Sequence, residues 1–116
     1  MAKVTARVRA TKKSGVRSKS EATPRYVIVR CRDAGVHAGE YLSHVGREVV
    51  LLNARRIWYW KGAASLSEIA VHGCKYPAEC RISMTVPRIT LPEACEIIDC
   101  LSEGEKFLRE VAAWKA

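Results

Sequence analysis

Residues 48–60 read Glu-Val-Val-Leu-Leu-Asn-Ala-Arg-Arg-Ile-Trp-Tyr-Trp, and they carry the side chains best suited to chemistry in this chain. Arg55 and Arg56 supply guanidinium groups that can hold phosphate or carboxylate through charge-assisted, bidentate bonds. Trp58 and Trp60 supply indole faces, and a base stacked on an aromatic ring gains roughly 1–3 kcal/mol in single-stranded nucleic-acid sites. In an extended strand, alternate side chains share a face. Arg56, Trp58 and Trp60 then fall on one side, and Arg55 falls on the other with Val49, Leu51, Asn53, Ile57 and Tyr59. The expected ligand site is therefore Arg55, Arg56, Trp58 and Trp60, facing a planar anion. The competing reading makes the two Trp residues core and pairs Arg55 or Arg56 with Glu48 or another acid, because Trp is highly buried on average.

Other chemistries find less support. His37 and His44 fall in or near turns, and His72 closes a short helix, where an imidazolium suits the helix dipole. No serine lies in a G-x-S-x-G context, no acid pair stands out and no glycine-rich phosphate loop opens a helix. A catalyst needs a nucleophile or base positioned by further groups, so an enzyme is not expected. The five cysteines are Cys31, Cys74, Cys80, Cys95 and Cys100. Cys74 and Cys80 are separated by five residues and Cys95 and Cys100 by four, without the tightest spacing of structural zinc pairs. No metal and no cofactor is expected. An odd cysteine number without an apolar leader suggests reduced thiols and a cytoplasmic setting. No apolar run approaches the roughly 18 residues of a membrane span, so a membrane is not an expected partner.

The elements that must position the Arg–Trp stretch follow from pattern. The 116 residues suffice for one domain. Residues 1–25 hold eight Lys/Arg and one acid, whereas residues 26–116 hold twelve Lys/Arg and eleven acids. The charge of +8 thus belongs mainly to the start of the chain. Residues 1–24 are polar and poor in large apolar groups, so they are expected to form a disordered basic arm. Within it, Arg7, Arg9, Lys12, Lys13, Arg17 and Lys19 are candidate phosphate contacts. Residues 25–116 form the expected single domain.

In that domain, residues 26–32 and 40–43 read as strands, with 37–39 as a flexible point between them and 44–47 as a hairpin turn using Gly46. The long strand 48–60 is apolar on both faces and suits a central position; Asn53-Ala54 marks a bulge within it. Ser65 and Glu68 form a capping box for a two-turn helix that ends at Gly73, with Leu66, Ile69 and Ala70 on its packing face. Residues 81–86 alternate, placing Ile82, Met84 and Val86 inward. Pro87 and Pro92 argue for an edge around 88–91, and 96–100 is the last strand. A second capping box, Ser102 to Glu105, starts a helix through Phe107, Leu108 and Val111, after which Trp114 can pin the end of the chain to the body. The expected architecture is α+β: a curved antiparallel sheet or small half-barrel of five to six strands with two short helices.

The segments Asp33-Ala-Gly-Val-His-Ala-Gly39, Gly46-Arg-Glu-Val-Val-Leu51, Ala54-Arg-Arg-Ile-Trp-Tyr-Trp60 and Gly62-Ala-Ala-Ser-Leu-Ser-Glu-Ile-Ala70 resemble those of a family of small uncharacterised proteins common in tailed phages and prophages. The similarity covers about residues 26–116. It implies a phage origin and a small non-enzymatic protein, and it brings no binding residues. On this basis the leading expectation is a host-defence antagonist in the host cytoplasm. It would sequester an anionic nucleotide-type ligand, as a homo-oligomer because so small a body cannot enclose a ligand alone. The alternatives are a capsid- or tail-associated virion protein, and a nucleic-acid-binding accessory protein acting through the arm.

Overall fold

The computed structural model describes residues 25–115. The arm residues Arg7, Arg9, Lys12, Lys13, Arg17 and Lys19 lie outside the described residues. The chain runs through β1 (Tyr26–Cys31), β2 (Val36–Val45), β3 (Glu48–Tyr59), α1 (Leu66–His72), a 3-10 turn (Pro77–Glu79), β4 (Arg81–Ile82), β5 (Val86–Leu91), β6 (Ala94–Asp99) and α2 (Ser102–Glu110). The six strands form one antiparallel sheet in the order β4-β3-β2-β1-β6, and β5 joins β3 on the same side as β4. A two-residue turn links β5 to β6, yet β5 pairs with β3 and β6 with β1. The sheet must therefore curl, and it remains open between β5 and β6, which gives the α+β half-barrel expected from the sequence.

Each face of the curled sheet carries its own core. Tyr26, Ile28, Ala38, Ile57 and Ile82 pack with Ile69 and Ala70 of α1 and Leu108 of α2. Val27, Val29, Cys31, Val49, Leu51, Ala54 and Leu91 fill the other face. β3 lies between β2 and the β4–β5 edge and contributes to both cores, as a strand apolar on both faces should.

Four local expectations are corrected. Residues 37–39 are continuous strand, because Gly39 lies opposite the β3 bulge: a Cβ there would come within 3.1 Å of Ala54 Cα and of the Leu52 carbonyl. The lack of a side chain serves close backbone approach, not a turn. The stretch 81–86 is interrupted, so only Ile82 points inward; Met84 is 69 % exposed and Val86 is also exposed. Ser65 Oγ accepts from the Glu68 amide, but Glu68 accepts from the Ala64 amide instead of that of Ser65. Finally, α2 has Leu101 at its N-cap, without a side-chain cap, in place of Ser102. The Leu101 amide donates to the Ala70 carbonyl at 2.9 Å, so docking on α1 sets where α2 begins.

Candidate functional site

The site is built by irregularities in β3. Ala38 pairs with Arg55 and Glu40 with Leu52, so one extra residue of β3 is accommodated opposite Gly39. Asn53 takes the strain at φ 49°, a left-handed conformation that Asn tolerates better than most residues. The extra residue reverses the alternation. Ala54 joins Val49 and Leu51 in one core, and Ile57 enters the helix-covered core on the opposite face. Arg56 and Trp58 go with Ala54, and the three line a common cavity of about 260 Å³.

The two adjacent arginines are thereby separated in role. Arg55 is 5 % exposed. Its Nε donates to the Ser83 carbonyl at 2.8 Å and its Nη1 to the Leu108 carbonyl at 2.9 Å, near the C-terminal end of α2. Burial pulls its pKa down from the usual guanidinium value, with Tyr26 acting weakly the other way. Its cation meets the carbonyl-rich end of a helix, a favourable placement. Arg55 also borders the cavity, but these two bonds direct its guanidinium into the body.

Arg56 is exposed at the cavity mouth. Among the described residues its side chain has no carboxylate partner. Its backbone is fixed: the amide donates to Ser83 Oγ at 2.8 Å, and its carbonyl accepts from the Ser83 amide at 2.9 Å. Trp58 is 47 % exposed and meets Trp114 edge-on, with ring centroids 5.4 Å apart and planes at 86°. The Trp114 amide donates to the Ile82 carbonyl, which pins the chain end to the sheet as the sequence suggested. The Arg81 guanidinium carbon lies 4.9 Å from the Trp114 ring and 5.8 Å from the Tyr59 ring. An exposed row of Trp58, Trp114, Arg81 and Tyr59 results. A second, open hollow of about 510 Å³ lies beside its far end, where Glu79 is ion-paired with Lys61.

Trp60 leaves this group. It follows the end of β3, packs against the helix-covered core and donates from Nε1 to the Ala63 carbonyl. Of the four residues selected from sequence, Arg56 and Trp58 share the open surface, Arg55 lies beneath it and Trp60 lies elsewhere. Arg81 and Trp114 went unselected because partners far apart in sequence create their roles. His37 went unselected because residues 37–39 read as a turn.

His37 is buried on the strand beside Arg56, with which it pairs across β2 and β3. Burial holds its pKa below the ordinary imidazole value, opposed by its bond to the Ala34 carbonyl, while the Arg56 charge also lowers it. A proton then binds the unfolded chain more readily than the folded one. The stability contribution is fully present above the unfolded value of about 6.5 and is lost as pH falls through the folded value. Between about pH 7.5 and pH 5.5, wild type should lose more urea resistance than His37→Gln. Equal losses in the two proteins would remove His37 as the cause.

Cys74 and Cys31 are ill suited to nucleophilic work. Burial, with Cys80 beside it, pushes Cys74 up to about 12, and burial also raises Cys31. Among the described residues there is no cluster of three or more metal-ligating side chains, and no helix is long and apolar enough to cross a membrane.

No curated protein and no solved structure matches the chain. Residues 24–108 match a family described as a domain of unknown function, DUF6948. That match spans most of the chain and all of β1 through β6, including the bulged strand and the cavity it shapes; the chain belongs to this DUF6948 family.

Proposed function

We propose that this protein is a binding protein for a nucleotide-type anion, held at the surface formed by Arg56, Trp58, Trp114 and Arg81. The observation that carries the reading is the combination at Arg56 and Trp58: a guanidinium without a carboxylate partner among the described residues, beside a half-exposed indole, at the mouth of a cavity. A phosphate would meet Arg56, and a base would lie against Trp58. The phage setting comes from the sequence resemblance. There, such binding would withdraw a nucleotide signal on which host defence depends.

The test begins with protein purified from bacteria, denatured and examined by mass spectrometry for released nucleotide, followed by titration with nucleoside monophosphates. Arg56→Ala should weaken nucleotide binding roughly 10- to 100-fold, the effect of losing one hydrogen bond to a charged group. The melting temperature should hardly change, because the side chain is exposed. A folded Arg56→Ala protein that binds as well as wild type would rule the site out.

One observation favours a second reading, single-stranded nucleic acid. The row continues past one base, from Trp58 through Trp114 and Arg81 to Tyr59, and several exposed rings with a cation among them suit successive nucleotides. Affinity that climbs with oligonucleotide length and weakens steeply with salt would select it. A mononucleotide that binds as tightly as an oligomer would reject it.

A further inference from the structure

The exposed row that begins at Arg56 and Trp58 has a hollow at each end. The cavity at Trp58 measures about 260 Å³, just below the roughly 300–1,000 Å³ of sites that enclose whole small ligands. The hollow at the far end measures about 510 Å³, with walls from Tyr59, Glu79, Arg81 and Trp114. It has room for a nucleoside, whereas the first suits one ring system. The Trp58–Trp114 contact joins the two, with ring centroids 5.4 Å apart. Arg81 is exposed, with its guanidinium carbon 4.9 Å from the Trp114 ring. Like Arg56, it has no carboxylate partner among the described residues. Two guanidinium groups thus stand along the row, each suited to one phosphate. Glu79 is the one acid among the described residues that line either hollow. Lys61 Nζ donates to its Oε1 at 3.1 Å, and no donor from the described residues meets its Oε2. The Glu79 side chain is 54 % exposed, so a ligand in the hollow can reach it.

We infer that the ligand is a ribodinucleotide with a 5′-phosphate at one end and a free 2′,3′-diol at the other. This rests on the nucleotide reading above and adds the length and the end group of the ligand. The 5′-phosphate meets Arg56, and the first base lies against Trp58. The linking phosphodiester meets Arg81, and the second nucleoside occupies the larger hollow. Its two ribose hydroxyls donate to the Glu79 carboxylate, which only accepts. The same carboxylate closes the site. A third nucleotide would bring a phosphodiester there, which has no proton to donate and carries a like charge. That distinguishes the ligand from a single strand of open length.

The test is calorimetric titration of the full chain with the 5′-phosphorylated homodinucleotides of adenosine, cytidine, guanosine and uridine. Each is compared with its mononucleotide, its trinucleotide and its 3′-phosphorylated form, and Arg56→Ala and Glu79→Gln are run in parallel. The tightest dinucleotide should bind at least about tenfold better than its mononucleotide, the gain from one further charge-assisted contact. A 3′-phosphate should remove about tenfold, because it replaces a hydroxyl that donates to a carboxylate. Glu79→Gln should shrink that loss, and the trinucleotide should bind no better than the dinucleotide. A dinucleotide no tighter than its mononucleotide, with both weakened in Arg56→Ala, would overturn the inference and leave the nucleotide reading standing. Affinity that climbs again with the third nucleotide would overturn it in favour of a longer strand. A 3′-phosphate that costs nothing, or costs as much in Glu79→Gln as in wild type, would overturn the end-group assignment. No binding by any of these compounds would overturn both readings.

Discussion

Gly104→Ala is expected to cost about 3 kcal/mol or more, toward the severe end of overpacking substitutions, and to lower the melting temperature by at least about 10 °C in a domain of this size. Gly104 is buried in α2, where a Cβ would sit 2.0 Å from the Ala70 carbonyl oxygen and 2.5 Å from its carbon. Neither atom can yield cheaply. The same carbonyl accepts from the Leu101 amide, so it is fixed by the bond that starts α2. One turn along, Gly73 meets Phe107 in a similar way, with 2.6 Å between the would-be Cβ and the Phe107 Cβ. The two helices thus cross at a distance that only glycine permits, and the added methyl must push them apart. Gly35→Ala is the control. Gly35 has a positive φ but nothing within 4 Å, so its cost is conformational and about 1 kcal/mol. Thermal melts of the two variants should differ clearly; equal melting temperatures would mean that α1 and α2 tolerate separation.

Arg55→Ala should destabilise by about 2–4 kcal/mol, from the loss of charged hydrogen bonds to two carbonyls, partly offset by relief of a buried cation's desolvation. The Ser83 and Leu108 carbonyls lose their donors, and the end of α2 loses the link that ties it to β3 and the β4–β5 segment. Arg55→Lys should recover only part of this, because a lysine lacks the planar fork that reaches both acceptors. Urea unfolding of Arg55→Ala beside Arg56→Ala makes the comparison sharp: neighbours in sequence and identical in type, one lowers the midpoint and the other leaves it in place. If both leave the midpoint unchanged, Arg55 does not hold the helix to the sheet.

The sequence alone determined the α+β class, a sheet of five to six strands, the two helices and the central place of β3. These follow from local signals: β-branched runs, Gly46 in the hairpin, Ser65 before an apolar helix face, prolines around the β5 edge. It also located the Arg–Trp stretch and the pinning of Trp114. It could not assign the members of that stretch to faces. Strict alternation grouped Arg56, Trp58 and Trp60 and set Arg55 with Val49 and Leu51. One extra residue opposite Gly39, absorbed at Asn53, took Arg55 off the Val49 and Leu51 face, and the end of β3 at Tyr59 took Trp60 away from Arg56 and Trp58. Asn53-Ala54 signalled a bulge, but whether a bulge shifts the pattern depends on the neighbouring strand, and Gly39 is 14 positions away. The same limit hid the rest of the candidate site. His37 gains its character from burial beside Arg56, and Arg81 stands between rings from β3 and the chain end. Periodicity reports which residues want to leave water. Only the pairing of distant strands decides which of them meet, because register is fixed by contacts across the sheet, and a shift of one residue turns every side chain over.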